Sequence, residues 1–177
     1  MFGLLISVGL LAAGLSGATI QFSVEDTQPG AGILGLMSFR LTYTVHDLTF
    51  LTNQELDIRF DPSVYKGIAN GAAPPGFDVL LIQPDNPPGT FGDFSALALV
   101  PNPPLGTFIV DVFSVARPSG QSFSINQLDE DGTLLNTITS GVTVSAVPEP
   151  STVLLFLPGG SFLIFRYRFK KRFKKHK

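Results

Sequence analysis

Apolar and polar residues alternate with a period of two through the middle of the chain. Phe39, Leu41, Tyr43 and Val45 alternate with Arg40, Thr42, Thr44 and His46, which predicts a strand with one buried and one solvated face. The parity then shifts, because Leu48 and Phe50 are even-numbered, and a bulge or turn near His46 and Asp47 accounts for it. Leu56, Ile58 and Phe60 alternate with Glu55, Asp57 and Arg59 until Asp61-Pro62 closes that strand. A Gly-, Ala- and Pro-rich loop is expected over 67–76, a strand over 77–82 and a proline-rich turn over 83–89. The stretches 95–100 and 107–115 have few polar positions. They predict strands central in a sheet and covered on both faces, separated by Pro101, Pro103 and Pro104. Phe123 and Ile125 run into Leu128, Asp129-Glu130-Asp131-Gly132 turns the chain into Leu134, Leu135 and Ile138, and Val142, Val144 and Ala146 end the pattern.

Between Ile20 and Ala146 no stretch sustains apolar residues at helical spacing, and Gly, Pro, Asn and Asp interrupt it at short intervals. The expected fold is therefore all-β: an antiparallel β-sandwich of about eight or nine strands over 19–146, with Greek-key or jelly-roll wiring. Both ends depart from this pattern. Residues 1–18 open with Phe2, Leu4, Leu5, Ile6, Val8, Leu10 and Leu11, too short a run for a comfortable permanent span. Ser16-Gly17-Ala18 then supplies the small residues that a signal peptidase requires, so a signal helix cleaved after Ala18 is expected. Its leading segment carries no Lys or Arg, only the α-amine.

At the other end, Pro148 and Pro150 flank Glu149 and hold the chain extended. An uncharged run over 151–165 follows, and then a cluster made by Arg166, Arg168, Lys170, Lys171, Arg172, Lys174, Lys175 and Lys177. The 15 residues of that run include Pro158, Gly159 and Gly160. As a helix they reach only about 22 Å against a hydrocarbon core of roughly 30 Å. Snorkelling by Arg166 and Arg168 lets Tyr167 and Phe169 lengthen the apolar span, and a short span also thins the bilayer locally. A C-terminal transmembrane helix with its cationic end held in the cytoplasm is the expectation.

The segment over 147–177, with Val147-Pro148-Glu149-Pro150-Ser151-Thr152, an apolar run and a basic terminus in that order, closely resembles the PEP-CTERM sorting tail. The resemblance implies an exported protein, anchored in the inner membrane by its C-terminus until an exosortase processes it near Pro148-Glu149-Pro150. An exosortase is a membrane-embedded cysteine protease or transpeptidase. Delivery to the cell surface, outside the cell or into an exopolysaccharide matrix is the implied destination. A second similarity concerns fold alone: the stretch 55–65, with Phe60-Asp61-Pro62, is similar to a strand in cohesin-like sandwich domains.

Charge supports the division. The whole chain has net charge −2, yet eight of its 12 Lys and Arg lie in the terminal cluster. Between Thr19 and Val147 only Arg40, Arg59, Lys66 and Arg117 stand against 13 of the 14 carboxylates, a net of −9. An acidic body excludes nucleic acid as its partner, and membrane topology explains the basic terminus. The absence of Cys excludes disulfides, thiol nucleophiles and Cys-ligated zinc.

Candidate chemistry in the body is sparse. His46 is the sole histidine outside the tail and falls on the polar face of its strand, so no Ser-His-Asp arrangement can be located. Glu55, Asp57, Asp61, Asp78, Asp85 and Asp93 are the carboxylates from which a glycosidase pair would have to be drawn, and Glu55 with Asp57 reads as a solvated strand face. Asp129-Glu130-Asp131-Gly132 lacks the spacing of a calcium loop and reads as a hairpin turn. No cofactor or metal is expected. The body reads as non-catalytic and structural or adhesive; a carbohydrate-binding module, weakened by the absence of Trp, comes second and a secreted glycan hydrolase third.

Overall fold

The computed structural model describes residues 18–27 and 35–146. Ten strands follow in order: β1 (Thr19–Asp26), β2 (Met37–His46), β3 (Gln54–Phe60), β4 (Tyr65–Ala72), β5 (Phe77–Ile82), β6 (Gly92–Ala98), β7 (Thr107–Ser114), β8 (Ser122–Leu128), β9 (Leu134–Val142) and β10 (Val144–Ser145). They form two five-stranded sheets, ordered β10-β1-β2-β7-β4 and β5-β6-β3-β8-β9. Every pairing is antiparallel except β1 with β10. No α-helix occurs among the described residues, and the expected signal and transmembrane helices lie outside them. The described residues are all-β, as their alternation predicts.

The odd residues of β2 and the even residues of β3 point inward, where Phe39, Leu41, Tyr43, Leu56, Ile58 and Phe60 are each at most 2% exposed. They belong to one core cluster drawn from both sheets, so the two layers pack face to face. Phe108 of β7 lies at its centre. Its ring centroid is 5.1 Å from Phe77 and 6.5 Å from Phe94 of the opposite sheet, both edge-on, and 6.4 Å from Phe50. At the other end of the layers Phe60 meets Tyr65 edge-on at 5.1 Å. Aromatic pairs in this geometry add about 0.5–1.5 kcal/mol to the area they bury.

A polar tie completes the core. Tyr43 donates its hydroxyl to Gln121 Oε1 (3.0 Å), and Gln121 Nε2 donates to the Tyr65 hydroxyl (2.7 Å) and to the Ser119 carbonyl. Thr143 Oγ1 accepts the Gln121 backbone N–H (2.9 Å), and its own N–H bonds the Gln121 carbonyl (2.8 Å). Gln121 is 3% exposed and Thr143 is 3% exposed. The bonds fix the point at which the chain leaves β9 in one sheet and enters β10 in the other. Burial raises the Tyr43 hydroxyl well above its ordinary pKa, so it stays a donor throughout the neutral range.

Two local expectations change, and the turn expected near His46 and Asp47 is present. Of the loop expected over 67–76, residues 67–72 belong instead to the edge strand β4, paired with β7 through two register shifts. A side chain at Gly71 would come within 2.9 Å of Leu81, so the small residues that mimic a loop are what lets this strand approach β5. The strands β6 and β7 are internal to their sheets but not covered on both faces: Asp93 and Leu97 are half-buried and Phe113 is exposed, because the described residues form two layers and no third. The parity change after β2 is a turn, with Asp47 in the left-handed region at φ 59°. All five non-glycine residues with positive φ among those described are Asn or Asp, whose short side chains tolerate that conformation.

Replacing Gln121 by Ala orphans the hydroxyls of Tyr43 and Tyr65 inside the core. The expected loss is about 1–3 kcal/mol for each orphaned group. Urea denaturation followed by tyrosine fluorescence measures it, and an unchanged midpoint would show that the tie contributes nothing.

Candidate functional site

Strand register builds a polar ladder on the outer face of the β5-β6-β3-β8-β9 sheet. Asp57 lies between Ser95 and Ser124, Glu55 between Leu97 and Asn126, and Arg59 beside Asp93. Leu80 and Ile82 of β5 border this face, opposite Ser95 and Asp93. Glu55 accepts hydrogen bonds from Ser95 Oγ and, at 3.4 Å, from Asn126 Nδ2. Arg59 Nε stands 3.5 Å from Asp57 Oδ2 and 3.9 Å from Asp93 Oδ1. One loosely held cation thus serves two carboxylates, and one oxygen of each, Oδ1 in both, is buried without a hydrogen-bond partner.

That shortage sets the electrostatics. Burial, then the Asp93 charge, pushes the Asp57 carboxyl up to about 6, against a weaker opposing pull from Arg59. Burial raises Asp93 as well. The opposite outer face shows what full pairing does: Arg40 grips Asp111 through two bonds of 2.8 and 3.1 Å, Asn70 adds a third of 2.9 Å, and Asp111 falls below its ordinary value.

Where the ladder ends, a cleft with a volume of about 250 Å³ opens between the ends of β3 and β4, the residue before β6 and the turn before β8. Arg59, Asp61, Tyr65, Phe91 and residues 119–122 line it. Asp61 accepts the Ser63 backbone N–H at 2.8 Å, and bonds from Ser63 hold its carboxyl below the ordinary value, so it is an ionised acceptor. Phe91 is 46% exposed at the cleft wall. Gly120 lets the turn pass the β9–β10 crossing, since a Cβ there would meet the Thr143 carbonyl at 2.6 Å.

The six carboxylates raised by the sequence separate into groups. Glu55, Asp57 and Asp93 meet on the ladder; Asp61 enters the cleft; Asp78 bonds the N–H of Val79 and Asp85 caps the turn at Gly89. His46 is exposed at the end of β2, opposite Thr19. Asp129 accepts the N–H groups of Asp131 and Thr133, closing the hairpin turn that its sequence implies. Among the described residues no group of three or more His, Cys, Asp or Glu is placed to hold a metal ion. Ala18 packs half-buried on the core. Ser16, the residues over 147–151 expected to form a sorting motif and the basic cluster over 166–177 lie outside the described residues. Sequence reasoning passed over Phe91, Ser119, Gln121 and Ser122. Only Phe91 carried a signal: an odd-numbered aromatic ahead of a strand whose buried residues, Phe94, Ala96 and Ala98, are even.

Neither the known family models nor the curated proteins contain a match to this chain. Among solved structures it is similar to the GH20 exo β-N-acetylglucosaminidase from Vibrio harveyi in complex with N-acetylglucosamine, at 15% identity and a TM-score of 0.39. An inactive mutant of that enzyme gives 15% identity and a TM-score of 0.37. In each case the match covers 76% of this chain and 19% of the other, so the chain spans about a fifth of the enzyme's length. At this distance the likeness concerns β-rich architecture and carries nothing about activity.

Asp57 binds a proton more tightly in the folded chain than at its ordinary value of 3.8, so its contribution to stability falls as pH rises from about 4 through about 6. Asp57→Asn removes that slope. At pH 7.5 the variant is expected to be more stable than the parent by the order of 1–2 kcal/mol after allowance for solvent screening. Paired urea melts at pH 4.5 and 7.5 check this, and a variant that gains nothing at the higher pH would refute it.

Proposed function

We propose that this chain is the exported substrate of a sorting protease, and that it carries a jelly-roll-like β-sandwich to the cell surface or an exopolysaccharide matrix in a structural or adhesive role. One observation carries the proposal: a rigid Pro148-Glu149-Pro150 element, an apolar run and a dense cationic terminus stand in that order after an acidic body. In this reading a signal peptide ending at Ala18 directs export, the run over 151–165 enters the inner membrane, and Arg166 to Lys177 stay on the cytoplasmic side. Pro148 and Pro150 offer an extended backbone to an exosortase, and Glu149 supplies the charged contact.

The body supports a passive role in two respects. Its carboxylate ladder runs along an open sheet face, and its −9 charge favours solubility and repels anionic surfaces rather than gathering nucleic acid. With no Cys, export across an oxidising compartment requires no pairing step.

Expression with a cognate exosortase tests the assignment. Glu149→Ala is expected to accumulate as the full-length, membrane-bound form while the parent is shortened and released. Fractionation and mass spectrometry read both. Processing of the variant at the parental rate would remove Glu149 from recognition, and recovery of the parent from the cytosol with both ends intact would refute sorting itself.

A further inference from the structure

We infer that the cleft beside Arg59 and Phe91 is a binding site for a neutral sugar residue. The inference stands on the described body alone, independent of the sorting tail. Its first support is the distribution of polar groups. Arg59 approaches its ionic partners Asp57 and Asp93 through Nε, at 3.5 and 3.9 Å, and its side chain is 58% exposed. The two terminal guanidinium nitrogens remain as a planar fork of donors. The Asp61 carboxylate, which lines the same cleft, provides acceptor sites beyond the bonds it takes from the Ser63 hydroxyl and N–H. Ser119 and Ser122 line the cleft too. Each of their hydroxyls can both donate and accept.

A sugar hydroxyl also donates and accepts, and adjacent hydroxyls on a ring can use a guanidinium and a carboxylate together. A simple anion cannot, because Asp61 lines the cleft and Asp57 and Asp93 flank its one cation. A simple cation meets Arg59. The set therefore selects a neutral, polyhydroxylated ligand.

The second support is apolar. Phe91 stands 46% exposed at the cleft wall, where the C–H face of a sugar ring can lie against it, and this replaces the Trp that the chain lacks. The third is rigidity. Gln121, at the base, is held by Tyr43, Tyr65 and Thr143, and Gly120 is wedged against Thr143, so the turn over 119–122 is set before any ligand arrives. The volume, about 250 Å³, suits about one sugar ring and lies below the range of drug-sized pockets. Weak, millimolar binding of single sugars is expected. Many copies on a surface or in a matrix would convert that into firm adhesion through multivalency.

Amide correlation NMR of the full-length chain in a sugar-free detergent provides the test. The probes are glucose, galactose, mannose and N-acetylglucosamine, with glucuronate and inorganic phosphate as anionic arms. At least one neutral sugar should shift the amides of Phe91, Ser119, Gly120 and Ser122 together. Phe91→Ala should weaken that response by about tenfold. Arg59→Lys, which keeps the charge but loses the fork, should do the same while the rest of the spectrum stays parental. Silence at these amides with all four neutral sugars would overturn the assignment. So would tighter binding of glucuronate or phosphate, or a response that survives both substitutions. Each of these outcomes leaves processing of the tail untouched.

Discussion

Contact between aromatic rings across the two sheets is the constraint on which the rest of the body depends. Without Cys there is no covalent brace, and among the described residues only side-chain packing and a few polar bonds hold one layer to the other. Phe108 meets Phe77 and Phe94 from the opposite sheet, and Phe60 meets Tyr65 at the far end. Burying each such ring contributes about 1.5–3 kcal/mol. The consequence is geometric as well as energetic. Because Phe60 packs inward with Leu56 and Ile58, Glu55, Asp57 and Arg59 of the same strand are compelled to face outward, and the ladder follows from the core.

Gln121 extends that constraint to the end of the layers. A buried amide that satisfies two tyrosine hydroxyls cannot shift without leaving a donor or acceptor unpaired. Its position thereby sets the turn over 119–122, and that turn forms one wall of the cleft. The other walls come from the ends of β3 and β4 and from Phe91 before β6. A cleft assembled this way inherits its shape from the core instead of from flexible loops, which suits recognition by a small number of well-placed groups.

Much of the architecture was legible in the residues themselves. The alternation in β2 and β3 marks the buried faces correctly, and Asp129 to Gly132 reads as the turn it is. The edge strand β4 was not legible, because Gly67, Ala69, Gly71 and Ala72 lack the branched side chains by which strands are recognised; their small size answers a neighbour, Leu81, that sequence order does not reveal. The run in β7 misled for a related reason: Phe113 is apolar yet exposed on an uncovered face. At the site, a period of two places Glu55 with Asp57, but bringing Asp93 beside Arg59 requires the register of β6. The cleft joins residues near 60, 91 and 120, which only the fold brings together. The proposed sorting tail is the converse case, since its reading rests wholly on sequence order.

The carboxylates near the cleft are divided between two surfaces. Glycoside hydrolysis takes two carboxyl groups facing each other across the bond to be broken, one of them protonated near neutrality. Asp61 is the carboxylate that lines the cleft, and the bonds from Ser63 keep it ionised. The group that retains a proton toward pH 6 is Asp57, which lies on the open ladder among Ser95, Ser124 and Arg59 and does not line the cleft. Acceptor and acid are thus on different surfaces, with Arg59 the side chain shared between them. A cation at that junction would lower the pKa of an acid brought closer, which works against a proton donor and in favour of a fixed charge pattern. Such a pattern can orient a hydroxylated ring and hold it, as the proposed sugar site requires.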